Sequence, residues 1–239
     1  MKPTIFPAGH EIDLSTKLNV KFGIDPTSDQ LHLGHLIPLL HLKKMWLEGH
    51  DVHIILGTFT AQLGDPSGKN EMRPIISSEN TERNAQSILE QISRIFDNVD
   101  GRNSLFKKIH IHRNGDWFDR MSSIQMTELL SKFTVGQLLE RDSFQTRMEQ
   151  KNPIGIHELI VPILQGIDSV KVKADIEIGG VDQLFNFAIT RDVQRISGQK
   201  PEICLLMPII NGIDGRKMSK SFGNCIFIND VPNDVFGKV

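Results

Sequence analysis

The chain has 239 residues, 39% hydrophobic and 23% charged, with 27 basic against 29 acidic side chains and a net charge of -2. That is enough apolar material for a well-buried core in roughly one and a half domains of ~150 residues, and so small a net charge excludes a global field for nucleic acid, leaving only a local patch to make such contacts. Two cysteines, Cys204 and Cys225, exclude a disulfide framework or a cysteine-rich zinc site, no apolar run approaches the ~20 residues of a membrane span, and the start "MKPTIFPAGHEID" lacks a signal-peptide core, so a cytoplasmic protein with no membrane partner is expected.

Along the chain, short β-branched or apolar runs alternate with helical patterns, the arrangement of a parallel sheet covered by helices. "NVKFGI" reads as the first strand. From Gly34 to Glu48, "GHLIPLLHLKKMWLE" repeats apolar residues at helical spacing. "DVHIILG" follows as a second buried strand, and "SENTERNAQSILEQISRIF" from Ser78 as a helix with a Ser or Asn cap and early Glu residues suited to the positive helix end. The segment from about Asn98 to Lys151 differs, mixing a basic strand-like piece, "SLFKKIHIHRN", with amphipathic helical pieces such as "MTELLSKFTVGQLLERDSF". It reads as an insertion that packs beside the sheet or against a second subunit. Then come a mostly buried helix, "IGIHELIVPILQGIDSV", a strand ending in glycines, "ADIEIGG", another helix, "VDQLFNFAITRDVQRIS", and another strand, "EICLLMPII". There is no internal repeat and no tyrosine, although phenylalanine reaches 13.

Two stretches suggest chemistry. In "FGIDPTSDQLHLGHLIPLL", His32 and His35 stand one turn apart where a strand passes into a helix, and Gly34 leaves room for a ligand against the backbone. A histidine there aims a ring N–H at an anion that the helix end already favours. Taken alone, the four residues "HLGH" are better explained as two partly buried, satisfied histidines. In "NGIDGRKMSKSFGN", Lys217 and Lys220 flank Met218 and Ser219 in a stretch rich in Gly, Asn and Asp, expected to be a mobile loop. Ammonium groups on such a loop neutralise charge developing on a polyphosphate; a solvated basic turn explains the loop equally well by itself. Asp182 fits a helix cap, and Asp25 with Thr27 fits a turn.

Together, "HLGH" and "KMSKS" resemble the two ATP-binding motifs of class I aminoacyl-tRNA synthetases. The stretches "GIDPTSDQLHLGH", "FTAQLGDPSGKN", "HELIVPILQGIDSVKVKADIEIGGVDQLFN" and "MPIINGIDGRKMSKS" resemble, in order, the catalytic domain of bacterial tyrosyl-tRNA synthetases, from about Val20 onward. The resemblance implies a Rossmann-type α/β fold, a parallel sheet with helices on both faces and a mainly helical insertion. One class I catalytic domain would fill residues 1–239, with the connective insertion at about 98–151, the KMSKS loop at about 211–224 and no anticodon-binding domain. It implies ATP with Mg²⁺, activation of tyrosine or a related amino acid to an aminoacyl-adenylate, transfer to tRNA or another acceptor nucleophile, and a homodimer formed through the insertion.

By the same resemblance, His32 and His35 stabilise the phosphates with help from Thr27, while Lys217 and Lys220 hold the departing pyrophosphate. Gly23, Asp25, Gly34, Gly180, Asp182, Met218 and Ser219 complete the ATP site, Asp182 by accepting from the ribose. The amino-acid pocket would use Lys21, Thr60, Asp65, Val161, Gln165, Asp168 and Gln183. Asp65 and Gln165 lie at the α-ammonium end, Asp168 at a far-end hydroxyl and Gln183 near the carboxylate; no residue is assigned to a metal. Val161 and Ile167 stand where the family carries tyrosines, and losing a hydroxyl that pairs with a charge costs ~1.5–3 kcal/mol for an unchanged substrate pose. Other readings are a stand-alone relative that passes a different activated amino acid to a small nucleophile, a non-catalytic binding or regulatory module, and a cyclodipeptide synthase working from preformed aminoacyl-tRNA.

Overall fold

The computed structural model describes residues 2–64, 76–97 and 109–238. Its centre is a six-stranded sheet formed by β1 (Thr4–Phe6), β2 (Asn19–Ile24), β3 (Asp51–Leu56), β4 (Ile109–Arg113), β5 (Ile176–Gly180) and β6 (Ile203–Met207), in the order β1-β6-β5-β2-β3-β4. Strands β2 to β6 are parallel, and β1 adds an antiparallel edge on β6. The sheet is therefore mixed. Three residues of "TIF" carry no period that would mark a strand, and β1 exists because β6 offers it an open edge.

Strands buried on both faces read as near-continuous apolar runs, and β3 shows this, with Val52, Ile54, Ile55 and Leu56 all buried. On one face, Leu39, Leu42, Met45 and Trp46 of the Leu33–Glu48 helix and Ala85, Ile88, Ile92 and Phe96 of the Ser78–Asp97 helix join Val20, Phe22, Val52 and Ile54 in one apolar cluster. The opposite face is covered by the Ile156–Val172 helix, which Lys21 meets at the Gln165 carbonyl, 3.0 Å away. That helix packs closely on Leu184–Ile196. At Gly166 an added Cβ would lie 2.6 Å from Val193 Cγ2 and 3.2 Å from the Thr190 backbone, so a hydrogen at this position sets how near the two helices approach.

The described part of the segment read as an insertion starts with a strand of the sheet. Ile109 and Ile111 of β4 join the main core, while His110 and His112 turn to the other face and stack on His53, which explains the alternation in "IHIHR". The helical part follows as Gly115–Phe118, Ser123–Leu130, Val135–Leu139 and Asp142–Glu149. It is anchored by Arg147 and Glu158, both fully buried, with Arg147 Nη1 2.6 Å from Glu158 Oε2 and the Gly155 N–H donating to Glu158 Oε1 at 3.0 Å. Among the described residues no helix is long and apolar enough to cross a membrane.

The chain leaves β2 toward β3 on one side and leaves β5 toward β6 on the other, which opens a crevice at the carboxyl ends of this central pair, where open α/β sheets bind ligands. Because the helix pair behind that crevice is spaced by Gly166, Gly166→Ala is expected to lower the unfolding free energy by about 1–3 kcal/mol. The measurement is a reduced urea midpoint at unchanged m value; a variant as stable as the parent would show that the helices separate freely here.

Candidate active site

At the carboxyl ends of β2 and β5 lies a cleft of about 400 Å³. Of the described residues expected in the site, all but Thr60 and Val161 line it. Asp65 falls outside the described residues. Thr60 stands behind the wall, donating from Oγ1 to Asp25 Oδ1 at 2.7 Å and accepting from Asn114 Nδ2 at 3.0 Å. Val161 is fully buried within its helix, and Ile167 packs beside Ile163 and Ile189 rather than against the cleft.

The two histidines cap the helix they precede. His32 Nδ1 accepts the Gly34 N–H at 3.1 Å, and His35 Nδ1 accepts the His32 N–H at 3.2 Å, a reciprocal capping box built from imidazoles. Each ring spends Nδ1 as an acceptor, so the neutral ring carries its proton on Nε2 and has that N–H to offer a ligand. Burial, followed by the charges of Lys220 and Lys217, lowers the His32 pKa to about 4, and burial lowers His35 well below its usual range. Both are therefore neutral donors at pH 7. Gly34 permits the arrangement, since a Cβ there would sit 2.8 Å from His32 Cε1.

Across the cleft, Lys217 Nζ pairs with Asp182 Oδ2 at 2.7 Å, and Lys220 Nζ donates to Ser28 Oγ. The loop carrying them is tied to the histidine segment, with the Leu33 N–H donating to the Ile226 carbonyl at 3.0 Å and the Ile228 N–H to the Leu31 carbonyl at 2.9 Å. Met218 is buried with Cys225, Ile226 and Leu33, so between the two lysines the chain is anchored in apolar contacts. Gln183 Nε2 donates to the same Asp182 oxygen at 3.3 Å, and Asn186 Nδ2 donates to Gln183 Oε1 at 2.6 Å. Because a carboxylate only accepts, this chain of bonds fixes the direction of the Gln183 amide.

The inner end of the cleft holds Asp168, Lys21 and Glu177. Asp168 Oδ1 accepts Trp117 Nε1–H at 3.0 Å and Oδ2 accepts Asn114 Nδ2 at 3.3 Å, yet burial raises its pKa to about 7 against these donors and Lys21. Lys21 Nζ makes three contacts, 2.8 Å to Glu177 Oε1, 2.8 Å to Ser169 Oγ and 3.0 Å to the Gln165 carbonyl. All three ammonium hydrogens thus have partners within the protein, so Lys21, which lines the cleft, also ties its wall together. Sequence reading missed Glu177, which lines the cleft, and Asn114, Trp117 and Ser28, which bond to the cleft residues Asp168 and Lys220. Asn114 stood in "IHIHRNGDW" as an ordinary turn residue after a strand, with no local mark of its burial against Asp168.

A family model described as tRNA synthetases class I (W and Y) matches residues 14–239. The chain is similar to the tyrosine–tRNA ligase of Mannheimia succiniciproducens, 45% identical over 223 residues that cover 93% of this chain and 54% of that protein. It is also similar to the tyrosine–tRNA ligase of Symbiobacterium thermophilum, 46% identical over 222 residues that cover 92% of this chain and 52% of the relative. The chain spans about half the length of the curated relatives it matches. Among solved structures it shares its fold with a C-terminally truncated Aspergillus nidulans mitochondrial tyrosyl-tRNA synthetase, at TM-score 0.73 and 22% identity over 87% of this chain and 65% of that one. The tyrosyl-tRNA synthetase complexed with L-tyrosine from Archaeoglobus fulgidus gives TM-score 0.71 at 22% identity over 93% and 64%.

The capping geometry has a direct spectroscopic consequence. Nitrogen-detected NMR is expected to find His32 and His35 neutral with the proton on Nε2 at pH 7, and His32 titrating at about 4. Since the folded pKa lies below the ordinary 6.5, the unfolded chain binds more protons between the two values, so His32 removes stability as pH falls through that window. Asp168 acts oppositely, its contribution present at low pH and lost as pH rises through about 7. A His32 that titrates near 6.5 would contradict the buried acceptor role of its Nδ1.

Proposed function

Because the chain belongs to the class I tRNA synthetases (W and Y), we propose that it activates an amino acid with ATP, forming an aminoacyl-adenylate and pyrophosphate, and passes the aminoacyl group to the 3′ end of a tRNA. The observation that carries this reading is the convergence of two neutral Nε2–H donors and two lysines on one cleft at the β2–β5 crevice. An anion with several phosphates suits that set. Neutral imidazoles donate hydrogen bonds to phosphate oxygens, and the lysines compensate the negative charge that grows on the leaving pyrophosphate.

In this mechanism the substrate carboxylate, already ionised, attacks the α-phosphorus in line, so the protein needs neither a general base nor a covalent intermediate and works by positioning. His32 and His35 hold the phosphates, with Thr27 beside them. Lys217 and Lys220 take the pyrophosphate, which requires Lys217 to exchange its bond with Asp182 for phosphate oxygens and frees Asp182 to accept the ribose hydroxyls. A Cβ at Gly180 would lie 2.3 Å from Asp182 Oδ1, so glycine keeps that carboxylate accessible to a nucleoside. Mg²⁺ enters as part of the MgATP substrate, on phosphate oxygens.

The amino acid in this reading is tyrosine or a close relative with a hydroxyl at its far end, received by Asp168 between Trp117 and Asn114. Gln183 presents its amide toward the carboxylate end, and Gln165 and Asp65 would take the ammonium. The reading includes a homodimer through the helical insertion and a cytoplasmic location. Ile124, Val135 and Met148, exposed at 63%, 63% and 49%, give the insertion the apolar surface that a second copy would cover.

Amino-acid-dependent ATP–pyrophosphate exchange, screened over the standard amino acids and hydroxylated aromatic analogues, is expected to respond to tyrosine or such an analogue. His35→Ala and Lys220→Ala are each expected to lower the exchange rate about a hundredfold or more, as removal of one preorganised donor does. Silence of the unaltered chain with every amino acid would move the reading to a binding module.

A further inference from the structure

Asn224 lies beyond the lysine loop, is only 2% exposed and does not line the cleft. Its side chain nevertheless reaches the backbone on both sides of Met218. Nδ2 donates to the Lys217 carbonyl at 3.1 Å and to Asp214 Oδ1 at 2.7 Å, while Oδ1 accepts the Ser219 N–H at 2.8 Å. Its own carbonyl accepts the Ile213 N–H at 3.3 Å. Gly212 faces the same amide so closely that a Cβ would lie 2.4 Å from Asn224 Cγ, and Gly223, at φ +63°, turns the chain from Lys220–Phe222 back toward this point.

We propose that Asn224 is the positioning residue of the lysine loop: its amide clamps the backbone at Lys217 and Ser219 and thereby sets the origin from which the Lys217 and Lys220 side chains reach across the cleft. This rests on the reading of the cleft as a nucleotide site. Lysine side chains are long and lose much rotamer entropy when held, so their ammonium groups are placed only as well as the backbone beneath them. Those two groups touch opposite walls, Asp182 after β5 and Ser28 after β2. A small rotation of the 217–220 backbone would take both away from a shared phosphate chain.

The clamp is chemically specific. It needs two donors and one acceptor on one short planar group, which among side chains of this size asparagine alone supplies. Aspartate keeps the bond to the Ser219 N–H but loses both donors and sets its charge against Asp214. Asp214 is itself held as an acceptor, its pKa lowered to about 2 by the Asn224 bond first and then by Arg216, and Arg216 lies over the Phe222 ring at 4.7 Å.

The test compares Asn224→Ala and Asn224→Asp with the unaltered chain in two measurements. In ATP–pyrophosphate exchange, both variants are expected to lose about tenfold to a hundredfold in kcat, the scale of two or so lost hydrogen bonds, with a raised KM for ATP and an unchanged KM for the amino acid. In timed trypsin digestion of the folded chain, cleavage after Arg216, Lys217 and Lys220 is expected to accelerate in both variants. Exchange within twofold of the parent together with unchanged cleavage would overturn the proposal, as would equal damage to the KM of both substrates. If the unaltered chain exchanges with no amino acid, the functional reading fails and digestion alone decides: faster loop cleavage upholds the clamp, and equal rates refute it. If Asn224→Ala does not fold, Asn224→Asp carries the same two measurements.

Discussion

The buried ammonium of Lys21 holds the molecule together at the place where it must also come apart. Strands β2 and β5 pair through only Val20 with Ile176 and Lys21 with Glu177, after which they diverge to form the cleft. A cation 1% exposed is tolerable only with its charge and hydrogens matched, and Glu177, Ser169 and the Gln165 carbonyl match them. Burial first, and then the charge on Glu177, pushes the nearby Glu202 carboxyl well above the usual carboxylate range. One side chain thus joins two strands and the helix that carries Gln165 and Asp168.

Around the cleft, single groups serve structure and chemistry together. The imidazole Nδ1 atoms of His32 and His35 satisfy helix-end N–H groups, which both starts the Leu33–Glu48 helix and commits each ring to the tautomer that can donate outward. Asp182 gives its carboxylate to Lys217 and to the Gln183 amide, and so links the lysine loop to the end of β5 through one acceptor. Such sharing fixes the parts of the cleft relative to one another, since these bonds form on folding.

The lysine loop illustrates the limit of reading composition. Gly, Asn and Asp at 211–224 mark a turn-rich segment expected to be mobile, yet here Asp214 and Asn224 bind one another and the backbone, and Met218 is buried. The same residues that signal a loop also build its scaffold, because short polar side chains bond readily to nearby backbone groups.

Much was legible in the sequence for a local reason. The five parallel strands, the four long helices and the two stretches that bring histidines and lysines to the cleft each announce themselves within a few residues, by burial on both faces, by helical period, or by histidine and lysine set beside glycine. β1 was not legible, because three residues hold no period and its partner lies some two hundred positions away in β6. Nor were the roles of Lys21, Asn114 and Trp117, or the retreat of Val161 and Ile167 from the cleft. By itself the sequence determined which segments are strands and helices and which carry groups fit for an anion. Tertiary structure alone decided which of those groups share a cleft and which are consumed holding it, since the partner of a buried donor is chosen by distance in space, and that distance is set by strand order and helix packing.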